Sequence, residues 1–287
     1  MAANESYPPY LLQKSAKIDS PLILASPHSG SFYPERLFHL SDRKVEEFQK
    51  NEDAAVDKLF SFAPACGIPL LSAVYGRAWV DLNRNPLELD PEMFSDPLPP
   101  QALTDSKRVK AGLGCFHKIL APNTPIYKSK LLFRIEQKRL FDIHFPYHAA
   151  LVDLIKKNIS RFGYSVLLDI HSMPELPKDQ EIKSGTPDFV LGNADGASCA
   201  QELTDTVAQC LKSMGYEVTV NLPFAGAYTT RYYGRPDGHS HALQIEIARH
   251  LYWNADKYMP LQGFDALWRR MTVLIEHLQR VLPVLPL

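Results

Sequence analysis

The chain has 287 residues, enough for one large α/β domain or two small ones and for a substantial core. Its 31 Lys plus Arg against 32 Asp plus Glu leave a formal charge of -1, which excludes an overall field that would recruit nucleic acid or an anionic membrane. The 4 cysteines show no CxxC spacing, so neither a disulfide framework nor a structural zinc cluster is indicated.

The amino-terminal MAANESYPPY lacks the basic start and apolar core of a signal peptide. No apolar run approaches the roughly 20 residues that span a bilayer, so a cytoplasmic protein is expected. PLILASPH (21–28) predicts the first strand, and NEDAAVDKLFSFA (51–63) a helix capped by Asn51 whose first turn carries acids. IPLLSAVYG (68–76) predicts a second strand, followed by WVDLNRNP and the Pro-rich NPLELDPEMFSDPLPPQ, an irregular insertion near the site. KRLFDIHFPYHAALVDLIKKNISRFG (138–163) reads as a helix, SVLLDIH (165–171) and DFVLGNAD (188–195) as strands. GASCAQELTDTVAQCLKSMG then predicts a helix, YEVTVNLPF (216–224) and HALQIEIA (241–248) strands, and ADKYMPLQGFDALWRRMTVLIEHLQRVL a last helix. Alternation of this kind predicts an α/β fold with a mixed, largely parallel sheet covered by helices on both faces.

In such sheets ligands sit beyond the carboxyl ends of strands. His28 and His171 both fall there, and two imidazoles at strand tips suit one zinc ion, which in catalytic sites takes three protein ligands. The third ligand is open among Glu52, Asp53 and Asp57, with Asp53 favoured; ordinary helix-start charge is the alternative for these acids. Asp169 shares a strand face with His171 and can orient it. Arg84 offers a rigid donor fork and Asn83 a further hydrogen bond, a pair suited to a carboxylate. Pairing of Arg84 with Asp81 or Glu88 is the structural alternative. Glu246 would lie among apolar neighbours, where desolvation raises a carboxyl toward the range of a general base, unless Arg249 pairs with it. PFAGAYTTRYYGRPDG (223–238) reads as an exposed loop able to close over an anionic small molecule. His144 and His148 stand four apart, but Pro146 between them perturbs the turn; His148 is expected near the pocket and not as a ligand. There is no GxSxG elbow, no phosphate loop and no GxGxxG fingerprint.

Five segments, SPHSG, VDLNRNP, DIHSMP, PFAGAYTTRYYGRP and HALQIEIARHLY, occur in an order that resembles the N-formylglutamate amidohydrolase (deformylase) family. DLNRN and DIHS also resemble segments of the zinc carboxypeptidases. The resemblance implies one amidohydrolase domain over residues 1–287, zinc-carboxypeptidase-like in fold, with His28 and His171 as zinc ligands. It further implies Asn83 and Arg84 as the substrate carboxylate clamp and Glu246 as the general base. Zinc carboxypeptidases carry an acidic ligand three residues after the first histidine, where this chain has Ser31, so the acid is sought at Asp53. The expected reaction is hydrolysis of the formyl amide of a small anionic N-acyl amino acid, N-formyl-L-glutamate foremost, to formate and the amino acid. A second carboxylate needs another cation, for which Arg231 and Arg235 are the candidates. A metallocarboxypeptidase or other deacylase, and a catalytically silent binding protein, are the competing readings.

Overall fold

All six apolar runs become strands in the computed structural model, which describes residues 7–14, 19–120, 123–176 and 186–286. Residues 1–6, part of the stretch on which the signal-peptide reading rests, lie outside the described residues. The strands are β1 (Tyr10–Gln13), β2 (Leu22–Ser26), β3 (Leu70–Ala73), β4 (Ser165–Met173), β5 (Phe189–Gly192), β6 (Val218–Val220) and β7 (Ser240–Ala248). They form one sheet in the order β1-β3-β2-β4-β7-β5-β6. β4 runs parallel to both β2 and β7, β5 parallel to β6, and β5 antiparallel to β7. The fold is a mixed, largely parallel α/β sheet with flanking helices, as the alternation of elements predicts. Among the described residues no helix is long and apolar enough to cross a membrane.

The chain divides into two compact units. One comprises described residues 7–11, 28–52 and 72–150; the other holds the described parts of 12–27, 53–71 and 151–287. In the second, the period of two along a strand assigns opposite duties to alternate residues. Val166, Leu168 and Ile170 of β4, with Leu243, Ile245 and Ile247 of β7, enter the apolar core. The layer over that face is built by α1 (Val56–Leu59), α3 (Gln201–Ser213) and α5 (Phe264–Val281), whose residues enter this core; α2 (Phe145–Phe162) and α4 (Tyr228–Tyr233) are two further helices. In α5 these are Leu267, Met271, Leu274, Ile275 and Leu278, at the three- and four-residue spacing of one helix face. Burying each is worth about 1.5–3 kcal/mol, so a charge at Leu274 would break this layer. The alternate residues of the strands, Asp169 and His171 on β4 with Gln244 and Glu246 on β7, share the other face.

Two expectations need correction. The helix predicted from Asn51 starts only at Val56, because Ala55 is left-handed (φ 59) and breaks the run. Asn51 instead closes the preceding helix, its Nδ2 donating to the Glu47 carbonyl, so Glu52 and Asp53 lie in a turn. The stretch 223–238, expected as an irregular loop, contains α4. Its entry is tied to the sheet: Gly226 (φ 106) lies so close to Gly192 at the end of β5 that a Cβ on Gly192 would come within 2.5 Å of the Gly226 nitrogen.

Candidate metal centre and substrate site

The register of β4 and β7 sets His171 opposite Glu246 and Asp169 opposite Gln244. Strand pairing therefore gathers four buried polar side chains on one face. His171 Nε2 lies 3.1 Å from Asp169 Oδ1 and Nδ1 lies 2.9 Å from Asp53 Oδ2. Both carboxylates are themselves held. Thr230 of α4 donates to Asp169 Oδ2 at 3.2 Å, while Arg249 Nη2 at 3.3 Å and Ser172 Oγ at 3.4 Å donate to Asp53 Oδ1. Gln244 donates to Glu246 Oε1 at 2.9 Å. Burial alone would push the His171 imidazole down, but Asp169, Asp53 and Glu246 around it raise it well above the ordinary histidine range.

The first unit centres on Asp81, fully buried. Its Oδ1 accepts from His28 Nε2 at 2.7 Å and from the Asn83 amide at 2.8 Å; its Oδ2 accepts from His117 Nε2 and Arg77 Nη2, each at 2.9 Å. Burial would raise this carboxyl, yet His28, Arg77, Arg84 and His117 hold it well below the carboxylate range. His117 is pushed down to about 4 by burial, against the pull of Asp81, and donates to it as a neutral ring.

His28 follows the end of β2 through Pro27 alone, and β2 pairs with β4 as far as Ala25 opposite Asp169. Among the described residues His28, Asp53 and His171, all buried, are the set that could hold a metal ion. Asp81 engages His28 through Nε2, whereas both nitrogens of His171 face carboxylates, Nδ1 that of Asp53 and Nε2 that of Asp169. Two imidazole nitrogens and a carboxylate oxygen are a donor set suited to zinc. Of the other two acids considered, Glu52 accepts from the Tyr33 hydroxyl at 2.6 Å, and Asp57 lies on α1 with its carboxyl raised by burial.

Asn83 and Arg84 are buried in the first unit. Arg84 Nη1 donates to the Asn83 carbonyl at 2.8 Å and Nε to the Leu113 carbonyl at 3.1 Å, so its planar head is fixed, with Asp81 4.0 Å from Nε. Arg231 and Arg235 belong to the second unit. Arg231 Nε donates to the Gly226 carbonyl, and its half-exposed head lies 3.7 Å from Asp195. Arg235 Nη1 donates to the carbonyls of Arg231 and Gly234, which ties it to the end of α4. The sequence reading passed over four supporting groups: Asp81 as the partner of His28, His117 beside it, Thr230 on Asp169, and Arg249 on Asp53 rather than as a partner proposed for Glu246. An acid two residues before Asn83 was the one visible signal.

The family model for N-formylglutamate amidohydrolase matches residues 20–253. The N-formylglutamate deformylases of Pseudomonas aeruginosa and Pseudomonas putida are each 31% identical, over 242 and 240 residues, covering 81% of this chain and 82% and 81% of their own. The crystal structure of N-formylglutamate amidohydrolase from Ralstonia eutropha JMP134 is similar with a TM-score of 0.89 at 34% identity, covering 96% of this chain and 99% of that one. With the match running through every motif-bearing strand end described above, the chain belongs to the N-formylglutamate amidohydrolase family.

Proposed function

We propose that the whole chain acts as a cytoplasmic, zinc-dependent amidohydrolase that cleaves the formyl amide of N-formyl-L-glutamate to formate and glutamate. The observation that carries this reading is the buried His28, Asp53 and His171 group in a chain of this family, with Glu246 opposite His171 in the strand register. A bound zinc supplies Lewis acidity, polarising the formyl carbonyl and acidifying water. His28, Asp53 and His171 would hold the ion, while Asp81 and Asp169 fix the two rings. Glu246 takes a proton from the attacking water and delivers it to the amide nitrogen as the C–N bond breaks. Gln244 keeps the Glu246 carboxyl aimed. Asn83 and Arg84 bind the α-carboxylate, and Arg231, with its exposed head, meets the second carboxylate, while Arg235 steadies the segment that carries it.

The test is formate release from N-formylglutamate measured beside a panel of short peptides and other N-acyl amino acids. Formate release with one zinc per chain supports the proposal. Turnover confined to peptides would point to a carboxypeptidase, and metal without turnover to a silent binding protein.

A further inference from the structure

HFPYH sets His144 and His148 four apart, a spacing that offers a ligand pair on a helix, yet neither belongs to the metal group. The two follow one another across a widened π turn, Leu140–His144, and the start of α2, where Pro146 has no N–H to give a normal helical bond. Their ring centroids are 4.3 Å apart, and both rings are buried. Each reaches the same short stretch of backbone. His144 Nε2 lies 3.0 Å from the Arg84 carbonyl oxygen, and His148 Nε2 lies 2.9 Å from that of Leu82.

A carbonyl oxygen only accepts, so both rings must donate, which fixes each as the Nε2–H tautomer. Burial keeps both neutral, His144 pushed down to about 4 and His148 to about 3. The carbonyl between these two, that of Asn83, accepts from Arg84 Nη1, and the Asn83 amide donates to Asp81. Three consecutive carbonyls in a segment outside any strand are thus fixed by side chains. Left without these donors, buried carbonyls would reorient or pull in water.

We infer that His144 and His148 are positioning residues that fix the backbone of Leu82–Arg84 and so aim Asn83 and Arg84 at the substrate's α-carboxylate. The inference rests on the clamp role proposed for Arg84. A clamp that touches the carboxylate equally in ground and transition states acts on KM and leaves kcat alone. Phenylalanine keeps the ring volume and removes the donor; glutamine places an amide nitrogen near the lost Nε2.

The experiment measures kcat, KM and metal content of the zinc-loaded full chain with N-formylglutamate and N-formyl-leucine, for His144→Phe, His148→Phe, His144→Gln, His148→Gln and Arg84→Met. Expected for the Phe variants is a KM raised about 10-fold for both substrates, kcat within about twofold and full metal content; the Gln variants recover most of the loss. Arg84→Met tests the clamp itself: an unchanged KM there removes the clamp and this inference with it. A raised KM for Arg84→Met beside normal KM in the Phe variants overturns the inference alone, as do Gln variants no better than Phe. Should the Phe variants fail to fold, nitrogen NMR of the two rings in the unmodified protein decides. Nε2–H at both supports the cradle, and Nδ1–H at either overturns it.

Discussion

The same small device occurs in both units, an imidazole whose Nε2 faces a buried aspartate, but in opposite electrical settings. Asp81 holds His28 beside Arg77 and Arg84, two guanidinium charges against one carboxylate, so positive charge is in surplus. Asp169 holds His171 beside Asp53 and Glu246, where Arg249 is the guanidinium on Asp53 and carboxyls are in surplus. Buried charge persists only when something compensates it. The first setting suits an anion such as a carboxylate; the second suits a cation, which a proton on His171 satisfies in part and a divalent metal would satisfy more fully.

The comparison breaks most visibly at its two aspartates. Asp81→Asn leaves Arg77 and Arg84 without their counter-charge and should cost roughly 3–5 kcal/mol of stability, read from the denaturant midpoint. Asp169→Asn removes one carboxyl from an acid-rich group and should fold well, yet weaken metal binding about 10–100-fold by loosening His171. Equal stability losses in the two variants would contradict the difference in setting. Glu246→Gln should retain metal and lose turnover by about 10²-fold or more, because the amide cannot take the water's proton; near-normal turnover would remove Glu246 from that role.

A finer test separates the carboxylates of the substrate. Arg84→Met should raise KM for N-formylglutamate and N-formyl-leucine alike, since each has an α-carboxylate. Arg231 is 51% exposed, so Arg231→Met should lower the glutamate-to-leucine ratio of kcat/KM by only about tenfold. Arg235→Met, with its head spent on carbonyls, should leave that ratio unchanged.

A separate effect is on stability and pH. His144 and His148 stay neutral in the fold down to about 4 and about 3, whereas the unfolded chain protonates them near the ordinary 6.5. Between these values the unfolded state holds more protons, so stability falls as pH falls. The expected slope below pH 6.5 is roughly 1 kcal/mol per pH unit for each histidine, and His148→Gln should flatten it.

The strands were legible because β4 and β7 are unbroken apolar runs interrupted, at period two, by residues such as Asp169, His171 and Glu246 that a buried strand would otherwise avoid. Their position at strand ends was legible for the same reason. The start of α1 was not, since an asparagine caps either end of a helix and the left-handed Ala55 gives no local signal. The partners of the histidines were equally hidden: Asp81 lies 53 residues from His28, and the distance in sequence is closed only by the fold. His144 and His148 illustrate the limit from the other side, because their spacing advertises a metal pair while the structure commits both to backbone carbonyls.

The central claim is that His28, Asp53 and His171 hold one divalent ion. Metal analysis of the purified protein beside His28→Ala and His171→Ala addresses it directly. The expected result is about one zinc per chain in the unmodified protein and loss of metal and activity in each variant, as removal of one of three ligands requires. Stoichiometric metal retained in both variants would contradict the account.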